Sequence, residues 1–139
     1  MVRREVASAK LERATARLKD AEQLVARPLP EFSSDVAGRD LAAFYLFLAA
    51  QECIDLAAHW IADEGWPAPR DVGSAFDALA DRGAIDRPLA DEMRAVVRVR
   101  NRIGHGYASF DHERLHAEAP SGIAAMRRFL VAVSTAAGL

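Results

Sequence analysis

The chain has 139 residues, 51% of them hydrophobic, with 18 basic against 20 acidic side chains and a net charge of −2. That is one domain's worth of sequence, residues 1–139, long enough to bury a core without staples, and its charge balance excludes a global attraction to nucleic acid. Cys53 is the only cysteine, which excludes an intrachain disulfide and a cysteine-built metal cluster.

Residues 2–26 scatter Val2, Val6, Leu11, Leu18 and Val25 among Ala, Arg, Glu and Lys. This favours a charge-rich helix with a modest apolar stripe, and it lacks the apolar centre of a signal peptide. Pro28 and Pro30 end it, and Glu31–Gly38 reads as a connector. Asp40 is placed to cap a second helix that runs to about Asp63, ahead of Gly65 and Pro67. It is apolar nearly all round at first and is expected to be the central core helix. Leu41, Tyr45, Leu48 and Leu56 share a face, Glu52 lies inside that stripe, and His59 follows on the same side. The longest unbroken apolar run, Leu41–Ala50, is too short to span a bilayer, so a soluble, cytoplasmic protein is expected.

Gly65-Trp66-Pro67-Ala68-Pro69 is a turn with Trp66 folded back onto the core, and Val72–Ala80 is a short helix with Phe76 and Leu79 inward. Asp86 then caps a further helix that tolerates Pro88 in its first turn. Asp111 opens the last helical stretch, with His112 and His116 at i, i+4. That is metal-ligand spacing, but no further convergent ligands accompany the pair, and solvated histidines are the simpler reading. Pro120 is expected to break or kink this stretch before Ile123, Met126, Phe129, Leu130 and Val133 resume an apolar face. With no alternating strand pattern, repeat or phosphate-cradling glycine loop, the fold class is all-α: an up-and-down bundle of about four to five helices.

The helix capped by Asp86 carries the informative stretch, Arg94–Phe110, with four arginines, a histidine, a tyrosine and no acid. Leu89, Met93, Val96, Val97, Val99 and Ile103 fill one apolar arc, and Arg100 points into its middle. Arg94, Arg98 and Arg102 fall on a different stripe and read as solvated. Residues 82–102 hold six arginines against Asp86, Asp91 and Glu92, a local balance of +3 that allows phosphate contact without proving it. A charge on an apolar face needs a carboxylate, a subunit interface or an anionic ligand. Glu52, an acid on the apolar face of the other core helix, is the natural partner, either in a structural ion pair with Arg100 or in catalysis. Gly104 and Gly106 flank His105, and glycine favours helix ends. Arg100 and His105 diverge by about 140° on a continuous helix, so they share a site only if the helix ends near Gly104 or a second copy of the chain supplies one of them.

Arg100-Asn101-Arg102-Ile103-Gly104-His105-Gly106-Tyr107 resembles the Arg-x4-His-x-Tyr motif of HepT-like toxins in the HEPN ribonuclease superfamily. The likeness extends through the Glu52-containing helix and the Gly-Ala-Ile-Asp stretch at 83–86, over roughly residues 38–135. It implies an HEPN-like bundle and a metal-independent endoribonuclease toxin with no cofactor. Its partners would be RNA, a second copy of the chain and a nucleotidyltransferase antitoxin. Internal attack of a ribose 2′-hydroxyl on the adjacent phosphate needs a proton acceptor, a proton donor and charge stabilisation. An imidazole can accept or donate near neutral pH, and a guanidinium matches phosphate oxygens with paired donors. His105 and Arg100 would fill those roles, with Asn101 positioning the phosphate or orienting His105, and with Glu52 and Arg102 in support. The resemblance marks Tyr107 as the residue that receives AMP. Two other classes remain open: a non-catalytic, nucleotide-binding HEPN module that assists a nucleotidyltransferase, and a dimeric helical scaffold.

Overall fold

The structure, a computed structural model, describes residues 3–106 and 110–139. It is all-α among those residues: α1 (Arg4–Val25), α2 (Leu29–Ser34), α3 (Val36–Asp63), α4 (Ser74–Asp81), α5 (Arg87–His105) and α6 (His112–Ala136). The four long helices run up and down. Arg3 and Lys10 of the α1 end meet Asp63 and Asp55 of α3, so the two are antiparallel. Arg100 of α5 meets Gln51 of α3, while Gly104 lies against Phe47. The pairs Arg102–Glu118 and Arg128–Glu92 reverse α6 against α5.

Helix α3 is the centre, touched by every other helix. Length and composition alone would let it cross a membrane, but here it buries Ala42, Ala43, Leu46, Ala49, Cys53, Leu56, Ala57 and Trp60 inside the bundle. Its alanines leave room for close neighbours, and three core aromatics meet near its C-terminal end. Phe129 meets Phe76 edge-on at 5.2 Å and Trp60 at 6.4 Å between ring centroids. Trp66 packs against this core as the sequence implies. Burial pushes the Cys53 thiol well above its usual range, and the neighbouring Glu52 charge adds to the effect.

Several local expectations are corrected. The segment 31–38 is not simply connector, because α2 forms with Pro30 in its first turn and Phe32 buried. Helix α3 is capped by Asp35, not Asp40, and starts at Val36. The Asp35 carboxylate accepts from Arg27 at 2.9 Å and from the Gly38 N–H at 3.0 Å, and both bonds hold it below the usual carboxylate range. A Cβ at 38 would push that carboxylate out of its capping position, so Gly38 belongs to the cap. Asp40 instead lies 3.4 Å from His112 Nε2 on α6. Leu41, counted on the inward face, is exposed.

Helix α4 begins at Ser74, where Asp71 Oδ1 accepts from the Ser74 N–H at 2.8 Å. Pro120 does not break α6: its ring faces outward while Ala119 and Ile123 are buried, and that packing offsets the roughly 3 kcal/mol cost of an interior proline.

Candidate active site

Helix α5 is built by strong local signals. The Asp86 carboxylate accepts from the Leu89 N–H at 2.8 Å, Pro88 sits in the first turn, and Gly106 closes the other end by donating to the Arg102 carbonyl at 3.0 Å. The buried face is Leu89, Ala90, Met93, Val96, Val97 and Ile103, with Val99 only half-buried. The helix ends one residue past Gly104, so His105 is still helical.

The arginines of α5 sort by partner. Arg87 pairs with Asp77 and Asp81, Arg94 pairs with Asp77, and Arg102 pairs with Glu118. Arg94 and Arg102 are therefore ion-paired, not merely solvated. Asp77 holds the Arg94 guanidinium more firmly protonated than usual. Glu118 also accepts from Arg114 at 3.0 Å, so one carboxylate is shared by two guanidiniums.

Arg100 differs from these three. Among the described residues it has no carboxylate partner. It donates to Gln51 Oε1 at 2.7 Å and to Asn101 Oδ1 at 2.8 Å, both neutral amides. Its guanidinium carbon lies 5.4 Å from the centre of the Phe47 ring, and its Nε is buried without a hydrogen-bond partner. The ion pair with Glu52 is not formed. Glu52 accepts from Arg13 at 2.9 Å and from Lys10 at 3.4 Å, both on α1. Adjacent helical residues point about 100° apart. That step turns Glu52 toward α1 and Gln51 toward α5.

His105 is exposed and makes no hydrogen bond or ion pair with a described residue. It lines a hollow of about 330 Å³ with Gly106, Phe110 and Leu115. Arg100 lines a neighbouring cleft of about 300 Å³ over Leu46, Ala50, Val96 and Ile103, and Arg102 and Arg114 form a wall common to both. The structure thus joins Arg100 to Asn101 directly and sets His105 apart at the helix end. Tyr107 lies outside the described residues. His112 and His116 diverge: His116 Nε2 is 2.7 Å from the Arg27 carbonyl oxygen, away from Asp40. Among the described residues no group of three or more His, Cys, Asp or Glu side chains could hold a metal ion.

Sequence reasoning missed Gln51 and Phe47. Phe47, Gln51 and Asp55 form an i, i+4, i+8 stripe on α3, and that spacing was the available signal.

Comparison with known proteins decides the family. The Ribonuclease HepT-like family matches residues 11–133. The chain belongs to the HepT-like ribonuclease family. A HepT-like relative, the mRNA nuclease HepT of Shewanella oneidensis, is 29% identical over 77 residues, which are 55% of this chain and 58% of that protein. The matched part is therefore less than two thirds of that relative's length.

The HepT-like fold is shared with solved structures. A tri-AMPylated HEPN toxin of Shewanella oneidensis in complex with an MNT antitoxin superposes with a TM-score of 0.85 at 20% identity, over 94% of this chain and 97% of that one. A toxin–antitoxin complex with AMP-PNP gives 0.81 at 19% identity, over 92% and 97%. The cytosolic Bacillus subtilis protein YutE gives 0.78 at 15% identity, over 98% and 92%. These likenesses establish the HEPN helical fold.

Proposed function

We propose that this HepT-like chain is a cytoplasmic, metal-independent endoribonuclease toxin of a toxin–antitoxin pair. The observation that carries the reading is Arg100: a half-buried guanidinium paired with two neutral amides, on the helix that ends in His105, which has no hydrogen-bond or ion-pair partner among the described residues. An uncompensated guanidinium attracts an anion, and a phosphodiester offers paired oxygens of matching geometry. Arg100 and His105 diverge on one continuous helix, so a homodimer in which two copies face one cleft gives a complete set of groups. Asn101 keeps Arg100 aligned with that cleft, and the nuclease relative supports RNA as the substrate. A non-catalytic module would not need both the arginine and the histidine.

The chemistry rests on His105 for proton transfer and Arg100 for charge stabilisation, so RNA cleavage by the purified protein is expected to persist at full rate in EDTA. Loss of cleavage that Mg²⁺ or Zn²⁺ restores, with the fold unchanged, would overturn metal independence.

The AMPylated toxin bound to an MNT antitoxin supports the same control here, with Tyr107 as acceptor. The Tyr107 phenol oxygen attacks the α-phosphorus of ATP, pyrophosphate leaves with the bonding pair, and a base of the transferase takes the phenolic proton. The attached AMP puts a phosphodiester charge and a nucleoside beside His105, where they compete with substrate for Arg100. Tyr107→Phe is expected to retain substantial cleavage and to escape silencing by the cognate nucleotidyltransferase and ATP. Peptide mass spectrometry of the co-expressed pair checks this: AMP found only elsewhere, or full silencing of Tyr107→Phe, would count against it.

A further inference from the structure

We infer that Gln51 is the positioning residue for Arg100, fixing its guanidinium in place while leaving the positive charge free for an anion. The inference deepens the proposed nuclease site and rests on it for its kinetic arm. Its basis is a relay of hydrogen bonds that begins on α1. Lys10 Nζ lies 3.4 Å from Asp55 Oδ2, Asp55 Oδ1 accepts from Gln51 Nε2 at 3.0 Å, and Gln51 Oε1 accepts from Arg100 at 2.7 Å.

The relay fixes which way the amide points. An amide turned over would set its NH2 against the guanidinium and its oxygen against the Asp55 carboxylate, so donor would face donor and acceptor would face acceptor. Gln51 therefore presents only its oxygen to Arg100. Phe47, one turn earlier on α3, puts its ring beneath the same guanidinium, and Asn101 takes the other terminal nitrogen. Three contacts thus hold the planar fork, and none of them carries a charge. A carboxylate at position 51 would hold the fork as well but would cancel the charge that a phosphate must meet. The acids nearest in sequence, Glu52 and Asp55, are neutralised from α1 by Lys10 and Arg13.

Two substitutions separate holding from charging. Gln51→Glu is nearly isosteric and converts the contact into an ion pair. Gln51→Met keeps the length and removes the acceptor. Ala62→Glu, at an exposed position farther along α3, adds the same charge away from the site and serves as a control. Each full-length protein is assayed for cleavage of a fluorescent RNA oligonucleotide and for binding of a 2′-O-methyl RNA oligonucleotide, which cannot be cleaved through its 2′ oxygen. Thermal melting of each reports the fold.

Gln51→Glu is expected to weaken oligonucleotide binding and raise KM by roughly tenfold, the gap between neutral and charge-assisted hydrogen bonds, with melting unchanged or somewhat lowered because its second oxygen faces Asp55. Gln51→Met is expected to lower kcat several-fold with KM nearly unchanged, because the charge stays and its alignment is lost. Ala62→Glu should match the wild type. Wild-type binding and KM in Gln51→Glu, with wild-type kcat in Gln51→Met, would overturn the inference and leave the nuclease reading standing. If the wild type binds the oligonucleotide but cuts no RNA, and Gln51→Glu weakens that binding, the nuclease reading falls and the role of Gln51 stands. Neither binding nor cleavage by the wild type would overturn both.

Discussion

Replacing His105 by alanine is expected to lower RNA cleavage by at least ~10²-fold, the lower end of what a general acid–base group contributes. The imidazole sits exposed in the last turn of α5, at the rim of the hollow formed with Gly106 and Phe110. It touches no described residue through a hydrogen bond or ion pair, so its removal orphans no polar group among the described residues. Alanine also has the better helix propensity there. Circular dichroism and sedimentation should therefore report an unchanged fold and assembly while cleavage collapses. Retained cleavage in a correctly folded His105→Ala protein would end the nuclease assignment for this site.

Arg100→Ala is expected to reduce kcat by roughly 10²–10³-fold, the usual effect of removing one donor that stabilises a developing oxyanion. The fold should survive. Had Arg100 been paired with a buried acid, alanine would have stranded that charge at a cost of about 3–5 kcal/mol. Gln51 and Asn101 are neutral, and Gln51 keeps its bond to Asp55. Arg100→Lys is the sharper variant, because a single ammonium keeps the charge and loses the planar fork. It should bind RNA and cleave it poorly. An Arg100→Ala protein that unfolds, or one that cleaves at the wild-type rate, would contradict this account of the site.

Helix α5 was legible in the sequence because its signals are local. Asp86, Pro88 and Gly106 are caps and a first-turn proline, and the apolar arc fits one helical face. The all-α class followed from the same periodicity. The start of α3 was misread because Asp35 and Asp40 are both chemically able to cap. The choice was made by Arg27, which the turn into α2 brings to the Asp35 carboxylate, and by the bare Cα of Gly38 three residues on. The partner of Arg100 was misread for a related reason. A helical wheel reports the angle between Gln51 and Glu52 but not which helix lies at each angle. Once α1 is seen to occupy the Glu52 side with Lys10 and Arg13, the acid is accounted for and the amide falls to Arg100. Pro120 shows the limit of propensity, since buried neighbours outweigh the local cost.

The placement of Lys10 and Arg13 against Glu52 and Asp55 has a kinetic consequence. The chain as a whole is weakly anionic, so its far field does not draw a polyanion inward. By pairing with those acids, Lys10 and Arg13 keep them from cancelling the Arg100 charge on α5. The field of that charge fades over a Debye length of about 8 Å at physiological ionic strength. On the proposed nuclease reading, an incoming strand is captured after close encounter rather than steered from a distance, and its association rate should respond only weakly to added salt.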